Sequence, residues 1–78
     1  MSSLNSDFVK YPMIGKKYLH YKGGTYEVIT LAVHTETKEN LVICKSVLFG
    51  SVYARPVSIF FDSVLNSKGQ SVQRFTEL

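Results

Sequence analysis

Gly23-Gly24 stands between two runs rich in β-branched and aromatic residues. A glycine pair in that setting marks a two-residue hairpin turn with positive φ angles. The flanking runs, Lys17 to Lys22 and about Thr25 to His34, are therefore predicted to pair as antiparallel strands. The second run changes phase along its length: Tyr26 and Val28 fall on one parity, Leu31 and Val33 on the other, with Thr30 between them. A long strand that switches its buried parity is bulged or sharply bent, and small barrels need such bends.

The same punctuation continues to the end of the chain. Thr35 to Asn40 is polar and reads as a turn, and Leu41 to Phe49 is a third strand ended by Gly50. Ser51 to Arg55 is a short fourth strand stopped by Pro56. Val57 to Phe61 can be one helical turn or an extended segment. Asn66-Ser67-Lys68-Gly69 is a turn, and Ser71 to Phe75 closes the chain. Five short strands with tight turns predict an all-β fold, a small five-stranded SH3-like barrel with room for a single helical turn. An OB-type barrel needs longer strands and an extra helix. The predicted organisation is an extended N-terminal lead-in over residues 1–14, followed by one barrel domain over residues 15–78.

At 78 residues the chain buries only about 60% of the surface its unfolded form exposes. Assembly with other copies would add to a small core. The lead-in supplies an apolar cluster for that purpose, Phe8, Val9, Tyr11, Met13 and Ile14, around Pro12. Proline there argues against a regular helix or a central strand. The single cysteine, Cys44, permits no internal disulfide and fits a reducing compartment. Met1 to Asp7 lacks the apolar stretch of a signal peptide. No run approaches the roughly 18 apolar residues of a membrane span, so a cytoplasmic protein with no membrane partner is expected. A net charge of +3 is a mild bias towards polyanions, short of a nucleic-acid-binding arm.

Catalytic patterns are weak. His20, His34 and Cys44 are the strong metal-ligand types, and they show none of the close pairing of structural zinc sites. A two-His site completed by Glu36 is the only metal arrangement on offer, and no metal or other cofactor is expected. Cys44 lies in an apolar strand, where a buried thiol is usually inert. Glu36 and Glu39 sit in or beside a turn, where charges are usually solvated. Gly23-Gly24 matches no phosphate-loop pattern. The chain reads as a binding module and not as an enzyme.

Spaced along the chain are Gly15, His20-Tyr21-Lys22-Gly23-Gly24, Tyr26-Glu27-Val28, Ala32, His34-Thr35-Glu36-Thr37, Gly50, Arg55-Pro56, Phe60, Val72 and Arg74-Phe75. This pattern resembles the bacterial and phage family known as domain of unknown function 1653. Members of that family usually carry Trp-x-Arg-Pro, where this chain has Tyr53, and often Pro-Arg-Phe, where it has Gln73. The resemblance implies no activity.

Two readings of the motif residues compete. In one they hold turns: Thr35 and Thr37 bond turn amides, Glu36 or Glu39 pairs with Lys38 or Arg55, and Tyr21, Tyr26 and Tyr53 are core aromatics. In the other, His20, Tyr21, Lys22, His34, Thr35, Glu36, Thr37, Tyr53 and Arg55 form a polar face that binds a ligand. Lys22 and Arg55 would hold an anion, Tyr21 or Tyr53 would stack on a base, and His34 or Thr35 would orient it. That reading suits a nucleotide or nucleic acid. A protein-interaction or homo-oligomeric assembly module, such as a phage-encoded regulator, is the alternative.

Overall fold

The computed structural model describes residues 10–78; Phe8 and Val9, expected to lead an assembly contact, lie outside them. Seven strands and one helical turn follow in chain order: β1 (Lys17–His20), β2 (Thr25–Val33), β3 (Asn40–Ser46), β4 (Val52–Pro56), α1 (Val57–Phe60), β5 (Ser63–Leu65), β6 (Ser71–Gln73) and β7 (Phe75–Glu77). One five-stranded antiparallel sheet has the order β4-β3-β2-β1-β7, and β5 pairs with β6 in a separate two-stranded sheet. The fold is thus mainly β, as expected. The large sheet does not close, because β4 and β7 are its two edges.

Alternation sets which face is covered. Val42, Cys44 and Ser46 of β3 are buried at every second position, the period of a strand with one covered face. On β2 the register passes from Val28 opposite Cys44 to Thr30 opposite Ile43, so Ile29 is the extra residue of a bulge. This is the phase change that the sequence carries. Leu31 shares the covered side through its pairing with Val42, yet it and Val33 remain exposed. The cover ends before the far half of β2.

That cover is α1. Pro56 can sit at the end of β4 because an edge strand loses no ladder bond to it, and its fixed φ of −62° leads into the turn. Val57 and Phe60 then point into the core. The Phe60 ring stacks on Phe75 at 4.2 Å and meets Tyr18 edge-on at 5.5 Å. Tyr18, Val28, Val42, Cys44, Val57, Phe60 and Phe75 form the core cluster. The Tyr18 hydroxyl stays paired by accepting the Met13 N–H at 2.9 Å.

Several boundaries differ from the sequence expectation. β1 ends at His20, so Tyr21 and Lys22 belong to the turn and Lys22 does not share a strand face with His20. His20 N–H donates to the Gly24 carbonyl at 3.0 Å, and Gly23 N–H to the His20 carbonyl at 2.8 Å. The loop is therefore three residues long, with Gly23 and Gly24 both at positive φ, 101° and 92°. β3 stops at Ser46, and Val47 to Phe49 turn outwards. The predicted closing strand is two strands, broken at Arg74, where the chain leaves one sheet for the other. Arg74 N–H donates to the Asp62 carbonyl at 2.8 Å, while its own carbonyl accepts Tyr21 N–H at 2.9 Å. Its guanidinium holds the Asp62 carboxylate at 2.7 Å.

Candidate functional site

The nine residues suspected from the sequence fall into two groups. His34, Thr35, Glu36 and Thr37 form the β2–β3 turn, at the far end of β2 from the His20–Gly24 turn. Nine residues of strand separate them, on the order of 25 Å at the usual rise. His20 and His34 therefore cannot share a metal ion, which removes the two-His arrangement with Glu36.

The His34–Thr37 turn is satisfied from within. His34 Nδ1 accepts Glu36 N–H at 3.1 Å and Thr37 N–H at 3.3 Å, and Thr37 Oγ1 accepts Glu39 N–H at 3.2 Å. Lys38 takes a left-handed φ of 65° to close it. Thr37 thus holds a turn amide, as the structural reading has it. Glu36 and Glu39 pair with neither Lys38 nor Arg55; the ion pair found among the described residues joins Asp62 and Arg74.

The second group converges. His20 Nδ1 accepts Lys22 N–H at 3.2 Å, the same device as in the other turn. Its ring lies 4.8 Å from Phe75 and 4.8 Å from Tyr21, and 6.2 Å from Tyr26. Tyr26 in turn meets Tyr53 at 6.0 Å. Of the three tyrosines expected as core aromatics, Tyr26 is half-buried and packs against the core cluster, whereas Tyr53 is 44% exposed; the fully buried tyrosine is Tyr18. β4 brings in Arg55, whose guanidinium carbon stands 5.1 Å over the Phe75 ring and 6.0 Å from that of Tyr26. Lys22 Nζ is 5.7 Å over Tyr21.

Arg55 is half-buried, and its Nε has no hydrogen-bond partner among the described residues. Its neighbours record the charge. Burial lowers the His20 pKa below 6.5, and Arg55, Arg74 and Lys22 lower it further. Among the described residues, every charged group acting on that ring is a cation. Burial raises the Cys44 thiol, and the charge of Arg55 together with a side-chain hydrogen bond between the two opposes this without reversing it. Cys44 is thus a protonated core thiol, poorly suited to nucleophilic work.

Two concavities flank these features. One, of about 660 Å³, lies beside the site between Tyr21 and Lys22 on one side and Leu65, Asn66 and Ser67 on the other. Asn66 shapes its wall by accepting the N–H groups of Lys68 and Gln70, each at 2.9 Å. The other, of about 490 Å³, runs along α1 between Val57, Phe61, Asn40 and Tyr11, with Lys10 Nζ 4.4 Å over Phe61. Tyr26, Phe75 and Arg74 carry the site but were not singled out for it from the sequence. Their signal was present in the Tyr-Glu-Val and Arg-Phe motifs.

These features define a small antiparallel β domain with a cluster of cations and aromatic rings, His20, Tyr21, Lys22, Tyr26, Tyr53, Arg55 and Phe75, as its candidate site. Residues 16–77 match the family described as a protein of unknown function, DUF1653, and the chain belongs to that family. It is similar to the crystal structure of a DUF1653 protein from Bordetella bronchiseptica, with 26% identity and a TM-score of 0.72 over 85% of this chain and 87% of that one. No curated protein matches it.

Proposed function

We propose that this protein is a non-enzymatic binding module that captures an anionic ligand, a nucleotide or nucleic acid, at the His20, Tyr21, Lys22, Tyr53 and Arg55 face. The observation that carries this reading is Arg55, a guanidinium lying against two aromatic rings without a carboxylate partner among the described residues. An arginine so placed keeps its planar fork for a phosphate and needs little reordering on binding. Lys22 adds a second cation across His20, and Tyr53 offers an exposed ring for a base. In this reading His34, Thr35, Glu36 and Thr37 hold a turn and do not touch the ligand. The strand order β4-β3-β2-β1-β7, with one helical turn after β4, supports an SH3-like barrel left open between its edges. A cytoplasmic location and the absence of a membrane partner belong to the same reading.

The test is a thermal-shift series with nucleotides and short oligonucleotides at low and moderate salt, on wild type and on Lys22→Ala with Arg55→Met. Methionine keeps an apolar stem over the rings. The reading predicts a rise of about 5–10 °C at roughly tenfold excess over Kd, smaller at higher salt and absent in the double variant. No rise with any of these ligands contradicts it.

A second reading has its own observation. Met13 and Ile14 are 56% and 60% exposed, as a face awaiting another subunit would be. Removal of residues 1–14 would then dissociate an oligomer. An unchanged oligomeric state by light scattering contradicts that reading.

A further inference from the structure

We infer that β4 joins two copies of this chain, paired antiparallel about a two-fold axis at Ala54, with Arg55 of each copy opposite Tyr53 of the other. β4 is an edge strand with no further strand beside it among the described residues. One bond fixes the parity of its outer edge. Ser46 N–H donates to the Ser51 carbonyl at 2.8 Å, so those two residues form a hydrogen-bonded pair. Such pairs recur at every second residue of an antiparallel ladder. By the β3–β4 register, Cys44 with Tyr53 and Val42 with Arg55 are therefore hydrogen-bonded pairs too. Tyr53 and Arg55 turn their backbone groups towards β3, while Val52, Ala54 and Pro56 turn theirs outwards. Pro56 has no N–H to donate, and on this side the sheet loses no bond to it.

Set antiparallel to itself, the strand is self-complementary in one register. Outward-facing residues must meet outward-facing residues, so the axis can fall at Tyr53, Ala54 or Arg55. At Arg55 it would oppose two guanidinium groups directly, which destabilises a strand pair. At Tyr53 it would leave Arg55 opposite Ser51 and Pro56 beyond the partner strand. At Ala54 all five residues of β4 are matched. Tyr53 meets Arg55, a cation beside a ring, Val52 meets Pro56, and the small Ala54 meets its own copy. Val52 and Tyr53 are 59% and 44% exposed, and Ala54 is exposed as well, so the pairing covers apolar surface that now faces solvent. Each copy uses the same strand, so assembly closes at two. The ladder stops at Pro56, which keeps the contact small and makes the dimer separate on dilution.

Dimer formation does not depend on the anion site. In the dimer, however, Tyr53 of the second copy stands beside Arg55, so the partner contributes a ring to that site.

The test is disulfide trapping. Opposed residues of a hydrogen-bonded pair have Cα atoms about 5.5 Å apart, within reach of a disulfide, and the two copies of Ala54 meet in that way. The two copies of Val52 are offset by four residues, about 13 Å, which a disulfide cannot span. Both positions are exposed, and the native Cys44 is buried. Under mild oxidation in dilute solution, Ala54→Cys should form a covalent dimer at least tenfold faster than Val52→Cys. Equal rates overturn the proposed register. Sedimentation equilibrium over a dilution series provides the second arm, on the unmodified chain and on Ala54→Lys, which would oppose two ammonium groups at the axis. The expected result is a monomer–dimer equilibrium whose dissociation constant rises at least tenfold in Ala54→Lys. A monomer at every concentration, or an assembly that Ala54→Lys leaves unchanged, overturns the β4 dimer. Neither result alters the reading of the anion site, which the thermal-shift series tests on its own.

Discussion

His20 has two neighbours that matter for its proton. Its Nδ1 accepts the Lys22 N–H, which requires that nitrogen to be unprotonated, and burial together with Arg55, Arg74 and Lys22 holds its pKa below 6.5. Above pH 6.5 the ring is neutral in folded and unfolded chains alike. As the pH falls below that value the unfolded chain takes up the proton first, so stability declines until the folded ring titrates as well. Urea midpoints measured between pH 7.5 and 5.0 should therefore fall more steeply for wild type than for His20→Asn. Asparagine keeps a short acceptor for the amide two residues on and does not titrate. Equal slopes would show that His20 is not buried among these cations. Lys38 bears a different strain, a lysine in left-handed backbone at φ 65°. Lys38→Gly should raise stability by about 0.5–1 kcal/mol, read as a shift in the same midpoint.

Among the elements, the single turn α1 holds the sheet closed on its covered side. Phe60 is fully buried and stacks on Phe75 from the other edge strand. Phe60→Ala should cost about 3–5 kcal/mol, enough to unfold most of a domain of this size, and circular dichroism would register it. The His34 turn is a lesser element. His34→Ala releases two exposed amides to water and should cost about 1 kcal/mol with no change in ligand affinity; a large loss of affinity would return that turn to the site. The difference between these elements bears on what could be read in the sequence. Gly23-Gly24, Gly50 and Pro56 place the turns because each residue acts on its own backbone, and the bulge shows in the parity of Tyr26, Val28 and Leu31. The break at Arg74 is not legible in that way. It depends on Asp62, which is twelve positions away, and a single β-rich run carries no mark of a sheet change. The site divides likewise. The motifs supply the suspected residues, but only the strand order shows that His20 and Arg55 both lie against Tyr26 and Phe75 while His34 stands apart.

At the scale of the whole molecule, both edges of the sheet and much apolar surface remain open among the described residues. Leu48 and Phe49, at the tip of the β3–β4 turn, are 80% and 79% exposed, and β4 is an edge strand with no further strand beside it among the described residues. Pro56 at the end of β4 limits edge-to-edge pairing there. The other feature of β4 is Arg55, part of a cationic cluster among rings with no carboxylate paired to it among the described residues. The most direct measurement is a calorimetric titration of a nucleoside monophosphate into wild type and into Arg55→Met, at low salt, with the unliganded melting of both recorded. Saturable binding by wild type, weakened at least tenfold in Arg55→Met while its unliganded melting stays near wild type, is the predicted result. Absence of binding to wild type, or equal binding by both, would contradict the claim that Arg55 takes an anion.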